Sequence, residues 1–404
     1  MKISAIDAFP ITLPVNRGVT AAEYTAKGFR SVSALVVLEI TTDAGISGLG
    51  EATVSGRWSG ETQMAALGVL KSVFAPILMG REPLESTSIM ERIDHSILGF
   101  PFTKAAVEMA LLDIAGKALG VPVYSLLGGP VRPRSIPIRF PVVPTEPATA
   151  AALAKEVVSR NCSMIKLKVG HDTVEKDVER VAHVRDAIGP NIRITVDANG
   201  GWSVSQSIAA CRQLRGYGVL FVEQPVDRLD IEGMAEVRRR VDLPIMADEG
   251  VFTLRQTIEV IRRRAADIIS VYPGKNGGIR NAACIAQVAG SCGIASAIGS
   301  NLEGQIGSSA MAHLAVAVRN INVEAYNADI IGPLFHTESV VKEPMEARHD
   351  AVYVPDGPGL GLSISRERLA TAVLRGRQDE GQATQDAHER NDVPRRDAGG
   401  GGSS

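Results

Sequence analysis

From Ile136 to Tyr326 the chain alternates strand-like and helix-like runs without interruption, and nothing else in the sequence limits its fold as strongly. Apolar runs rich in β-branched residues lie at 136–142, 164–169, 192–196, 219–222, 244–247, 268–271, 294–298 and 321–325. Amphipathic segments of helical period, such as 174–188 and 205–214, lie between them. Strands that recur about every 24 to 28 residues with a helix in between pair in parallel through right-handed crossovers. No Gly-x-Gly-x-x-Gly opens any of these helices, so closure into a TIM-type barrel is expected rather than an open nucleotide-binding sheet. In such barrels the chemistry sits at the C-terminal strand ends.

Three acids fall at those ends. Asp197 closes T-V-D, Glu223 closes L-F-V-E and Asp248 follows I-M-A, each one strand–helix unit after the last. Three converging carboxylates repel one another unless a cation sits among them. An all-oxygen set favours Mg²⁺ over zinc, with Mn²⁺ a tolerable substitute. Lys166 and Lys168 end the preceding strand two residues apart, so both point inward while Leu167 points at the helices. Two ammonium groups so close lower each other's proton affinity, which is what a general base requires.

The flanking regions differ in pattern. Residues 1–130 read as an α+β unit: period-2 runs at 2–9, 32–41 and 45–53, then helical runs at 63–78, 86–97 and 103–119. Two polar, aromatic loops interrupt it, at 15–30 and 55–62. The segment 336–376 returns to strand-like pieces around a Pro-Asp-Gly-Pro-Gly turn and is expected to pack on the first unit. From 377 to 404 the composition is polar and charged, and disorder is expected.

Bulk properties exclude several classes. With 404 residues the chain can hold one large barrel or two ordinary domains, and 45% hydrophobic with 22% charged residues suits an ordinary soluble globular protein. A net charge of -2 gives no reason to expect nucleic acid or an anionic membrane as partner. No apolar run approaches the roughly 18 residues of a membrane span, and no signal-peptide pattern opens the chain. The four cysteines form no CxxC pair, which points to buried thiols in a reducing, cytoplasmic setting.

Taken in order, K-x-K, D-A-N, E-Q-P and A-D-E, followed by K-N-G-G and D-I-I-G-P-L, resemble the enolase superfamily and, within it, the muconate lactonizing enzyme subgroup. The resemblance covers residues 1 to 376. It implies a modified (β/α)7β barrel at 131–335, with a capping domain built from 1–130 and the 336–376 return, and a homo-oligomeric assembly. It further implies that Asp197, Glu223 and Asp248 bind Mg²⁺, that Asn199 and Glu249 surround the metal, that Lys168 is the acid/base and that Lys166 tunes it. The substrate class is then a small carboxylate, whose enolate the metal stabilises. The mandelate racemase subgroup pairs a histidine near the seventh strand with an aspartate. Here no histidine lies between His183 and His313, and His313 sits in a helical run.

One departure narrows the reaction. Where the subgroup places a second lysine at the end of the sixth strand, this chain has Tyr272, with Lys275 three residues further on. A phenol of pKa about 10 is a poor base at neutral pH. Racemisation and epimerisation need bases on both faces, so N-acylamino-acid racemase and dipeptide epimerase activities are disfavoured. Cycloisomerisation of a muconate-like diacid, with Lys168 protonating the enolate carbon, needs one lysine face. So does syn-dehydration of a hydroxy acid, as in o-succinylbenzoate synthase-like chemistry. Substrate contacts are expected from Tyr24, Arg57 and Trp58 on the two cap loops and from Lys275, Glu303 and Asp329 at the barrel mouth, with Arg57 facing a distal carboxylate.

Overall fold

The computed structural model describes residues 1–16, 32–143 and 145–375. Tyr24, most of the 15–30 loop and the 377–404 tail therefore lie outside the described residues. The chain begins with an antiparallel sheet, β1 (Ile3–Pro14), β2 (Val32–Thr42) and β3 (Ser47–Ala52), in sequential order. The buried helix Pro101–Leu119 packs across it. Helix and sheet meet so closely that a Cβ on Gly50 would run into the carbonyl of Ala106, so glycine is required there.

Seven strands form the parallel sheet, in the spatial order β11-β10-β9-β8-β7-β6-β5. They are β5 (Phe140–Val142), β6 (Met164–Lys168), β7 (Arg193–Asp197), β8 (Val219–Glu223), β9 (Ile245–Ala247), β10 (Ile268–Val271) and β11 (Ala295–Ile298). Each strand reaches the next in sequence through a helix, which makes this a curled α/β half-barrel with both faces covered. The helices start where capping chemistry permits. Ser203 and Thr253 each form a capping box with a glutamine three residues on, before Val204–Leu214 and Leu254–Arg262.

Two expected strands come out differently. The run 136–142 divides: β4 (Ser135–Pro137) pairs antiparallel with β12 (Ala351–Tyr353), and only β5 joins the parallel sheet. Pro137 and Pro141 lack the N–H that a continuous ladder needs. The run 321–325 is not a strand. Asn322 caps the short helix Val323–Tyr326, accepting the N–H of Ala325. Single bridges from Ile321 to Ser296 and from Ala328 to Ile138 span the gap between β11 and the start of β5.

The C-terminal return lies against the first 130 residues. Gly359 bridges Pro122, and the Arg366 guanidinium grips both oxygens of Glu39 at 2.6 and 2.8 Å. Among the described residues no single helix is long and apolar enough to cross a membrane.

Candidate active site

Register brings the acids together. Lys168 on β6 lies opposite Asp197 on β7, which lies opposite Glu223 on β8, and Asp248 directly follows β9. All three acids are buried, and Lys166 and Lys168 face them from the adjacent strand. Lys168 Nζ donates to Asp197 Oδ2 at 2.6 Å and to Asn199 Oδ1 at 2.9 Å. Lys166 Nζ stands 3.4 Å from Asp197 and 3.6 Å from Glu223, and it donates to Asp329 Oδ2. Lys275 Nζ donates to Asp248 Oδ1 at 2.6 Å, to the Asp248 carbonyl at 2.9 Å and to the Ser270 carbonyl at 2.8 Å. That uses all three of its hydrogens.

Around this centre the backbone is held in costly conformations. Asn199 (φ 43°) and Gln224 (φ 38°) both adopt left-handed backbone just past a strand-end acid. The surroundings enforce it: Gln224 Oε1 accepts from the N–H groups of Asp248 and Gly250 at 3.0 and 3.1 Å. Asn199 in turn donates to Glu249 Oε1 at 2.7 Å and its N–H to Asp197 Oδ1 at 3.0 Å. Both residues therefore lie beside the acids, as the D-A-N and A-D-E motifs imply.

Electrostatics divide the acids. Burial drives the Glu223 carboxyl up, and Asp197 and Asp248 push it further against the pull of Lys166 and Arg139, so these charges share one space. Burial and the neighbouring Asp248 and Asp197 likewise raise Glu249. For Asp197 burial is outweighed by Lys168 and Lys166, which hold it below the usual range. Lys166 corrects the expectation of mutual lowering between paired lysines: burial pulls it down, but Asp329, Glu223 and Asp197 more than compensate, and it is held as ammonium.

The donor set suits a hard divalent cation. Asp197, Glu223 and Asp248 offer buried carboxylates, two further buried oxygens (Glu249 Oε2 and Asp329 Oδ1) have no hydrogen-bond partner, and burial makes Glu223 and Glu249 reluctant to ionise without positive charge nearby. Among the described residues no three Asp, Glu, His or Cys groups are set out in a coordination geometry, and Lys166, Lys168 and Lys275 pair with Asp329, Asp197 and Asp248.

Tyr272 and Lys275 are now distinguishable. Tyr272 directly follows β10, four places from β6 in the sheet order. It is buried, with Lys275 Nζ 5.0 Å from its ring centre and the Phe102 ring at 6.5 Å. Burial and then Asp248 and Glu303 raise the phenol well above its ordinary range, so it keeps its proton. Lys275 is tied to Asp248 instead of standing open.

The remaining residues are placed as follows. Asp329 belongs to the charged cluster through Lys166 and Arg139. Glu303 folds into its own loop, accepting from Ser300 Oγ at 2.6 Å and from the Asn301 N–H at 3.0 Å, and burial pushes it up to about 7. Arg57 and Trp58 line a cleft that shares Lys275 with the cluster, and the Arg57 charge also reaches His171. His313 is structural: its Nδ1 accepts the Tyr124 N–H at 3.3 Å, and the two rings stack at 5.4 Å.

Two residues of the site escaped the sequence reading. Arg139 is fully buried and reaches Asp329 at 3.4 Å and Glu223 at 3.5 Å, while giving two hydrogen bonds of 2.8 Å to the carbonyls of Tyr326 and Asn327. Its signal was an arginine inside the apolar run I-P-I-R-F-P-V. His171, three residues past β6, feels the charges of Lys168 and Arg57, which add to burial in lowering its proton affinity. Its position just after K-x-K was the available clue.

Fold and cluster together define an α/β enzyme, and comparison with known proteins identifies its kin. Residues 12–128 match the mandelate racemase / muconate lactonizing enzyme N-terminal domain, and residues 149–368 match the enolase C-terminal domain-like family. The L-Ala-D/L-Glu epimerase of Bacillus subtilis is 32% identical over 94% of this chain and 100% of its own length. Muconate cycloisomerase 1 of Pseudomonas putida is 33% identical over 84% and 91%. The crystal structure of N-succinyl Arg/Lys racemase from Bacillus cereus superposes with a TM-score of 0.86 at 32% identity, covering 92% of this chain and 98% of that one. The chain belongs to the muconate lactonizing enzyme-like subgroup of the enolase superfamily. The relatives named are isomerases.

Proposed function

We propose that the chain is a Mg²⁺-dependent cycloisomerase of the muconate lactonizing type, in which a single lysine serves one face of a dicarboxylate substrate. The parallel sheet and the bridging segment 321–329 act as a (β/α)7β barrel, and residues 1–130 with the 336–376 return act as its cap. The observation that carries this reading is asymmetry: Lys168 stands on β6 among the acids, while the opposite position after β10 holds a phenol that keeps its proton.

Asp197, Glu223 and Asp248 would hold the cation, which when bound draws charge from the substrate carboxylate and so favours enolate character at the α-carbon. Lys168 then delivers the proton to that carbon from its own face. Asn199 and Asp197 hold the Lys168 ammonium in place, and Lys275 fixes Asp248. Lys166, gripped by Asp329, supplies fixed positive charge. Tyr272 donates a hydrogen bond on the far side without taking up a proton. Syn-elimination of water from a hydroxy acid, with Lys168 as base, suits the same one-sided arrangement and is the second reading.

Turnover of a panel of diacids, hydroxy acids and acyl amino acids with Mg²⁺ in D2O tests the proposal. Lactone formation, with solvent deuterium entering on one face, is expected, or water loss on the second reading. Inversion at the α-carbon with solvent deuterium would contradict it.

A further inference from the structure

The parallel sheet ends at β5 on one side and β11 on the other. Among the described residues, single bridges and isolated backbone hydrogen bonds from the segment 320–329 join these two edges. Arg139, directly before β5, spans that seam from a fully buried position. Its own N–H donates to the Ala328 carbonyl at 2.9 Å. Nη1 donates to the carbonyls of Tyr326 and Asn327, both at 2.8 Å, and Nη2 to that of Ile298, the last residue of β11, at 3.3 Å. One guanidinium thus joins β5, β11 and the segment that stands in for an eighth strand.

The same Nη2 also reaches the acids. It lies 3.5 Å from Glu223 Oε2 and 3.4 Å from Asp329 Oδ2. Lys166 stands 3.6 Å from the other Glu223 oxygen and shares Asp329 Oδ2. A seam of carbonyls needs donors but no charge, and burying a cation is costly. A planar fork with five fixed N–H directions can serve carbonyls and carboxylates at once, which a lysine ammonium with three donors cannot. A shift of the 326–329 segment is therefore felt at Glu223. We propose that Arg139 is a positioning residue, which closes the seam of the sheet and with the same guanidinium sets Glu223 and the Asp329–Lys166 pair in place for the divalent ion. The inference rests on the reading of Asp197, Glu223 and Asp248 as the acids that hold that ion.

Calorimetric titration of the metal-free full chain with Mn²⁺, beside thermal melting of each protein, is the test. Loss of a group that orients a metal ligand weakens metal binding roughly 10–100-fold, and that fall is expected for both Arg139→Gln and Arg139→Lys. The lysine variant keeps the positive charge, so the comparison does not depend on a chain with stranded acids staying folded. Arg193→Met is the control. Arg193 grips the same segment from β7, donating to the carbonyls of Glu324 and Ala325 at 3.1 and 3.0 Å and to Asn327 Oδ1 at 2.6 Å. Its loss should lower the melting temperature and leave Mn²⁺ affinity unchanged, which a purely structural role for Arg139 would also do.

Parent-like affinity in Arg139→Lys overturns the proposal. So does tighter uptake by Arg139→Gln, which would make the guanidinium a mere repeller of cations, or an equal fall in Arg193→Met, which would make the effect general loosening. No saturable uptake by the parent would instead overturn the metal reading, and this inference with it. No turnover is needed, so the choice of reaction does not affect the outcome.

Discussion

Two regions of this molecule bury carboxylates, and they do so in different ways. At the strand ends Asp197, Glu223, Asp248 and Asp329 face side-chain amines and a guanidinium. At the seam with the first 130 residues, buried carboxylates mainly face backbone N–H groups. Glu61 caps the helix Pro101–Leu119 by accepting from Phe102 and Thr103, and Glu51 accepts from Gly304 just before the helix Gln305–Ala317. Asp113 accepts from Leu49 and Leu360, joining sheet, helix and C-terminal return, with Lys117 2.7 Å away. Backbone donors are fixed by the fold and leave an acid one task. Side-chain amines can exchange partners with a substrate or a cation. Burial of charge therefore does not by itself mark a reactive site; the partner does.

The largest test of this contrast is Lys168→Ala. A proton donor acting on the reacting carbon accounts for roughly 10²–10⁴ in rate, so steady-state kinetics should show a fall in kcat of that order with Mg²⁺ still bound. Asp113→Ala should behave in the opposite way. It strands the N–H groups of Leu49 and Leu360, and a loss of about 2–3 kcal/mol in denaturant unfolding is expected, with kcat preserved in the folded fraction. A large loss of kcat there would break the division between the two regions.

Tyr272→Lys sharpens the comparison within the strand-end cluster. It puts a second amine across from Lys168, and NMR in D2O should then detect inversion at the α-carbon where the parent shows none. The smallest effect is on the pH dependence of stability. Burial pushes Glu108, which accepts the Arg280 N–H at the seam, up to about 7 in the folded chain, from an ordinary value of 4.5. Its contribution is complete below about 4.5 and is lost as pH rises through about 7. Glu108→Gln should flatten that part of the profile. Buried His313, pushed down to about 4 by desolvation, acts in the other direction: stability falls as pH drops from about 6.5 towards 4.

Much of this was legible in the sequence because it rests on period and spacing. The strand–helix alternation located β6 to β11 to within a residue or two, and strand ends placed the acids beside Lys166 and Lys168. What escaped was long-range or a matter of competition. At 321–325 two local signals compete, and the Asn322 cap on the N–H of Ala325 prevails over the strand-like apolar pattern. Arg139 could be read as a surface residue until the fold enclosed it among Glu223, Asp329 and two carbonyls. Like-charge repulsion between Lys166 and Lys168 was a sound local inference, but the acid that dominates Lys166 comes from Asp329, far along the chain. Lys275 is similar: its three partners lie on Asp248 and Ser270, which spacing alone does not bring to it.

Titration of the metal-free chain with Mn²⁺, followed by the loss of its free electron-spin signal, probes the heart of this account: that neighbouring strand-end acids exchange ammonium partners for a divalent ion. Saturation at one ion per chain, abolished by Glu223→Gln and untouched by Glu61→Gln, is the predicted result. Undiminished uptake by the Glu223→Gln protein, or no saturable uptake by the parent, would contradict it.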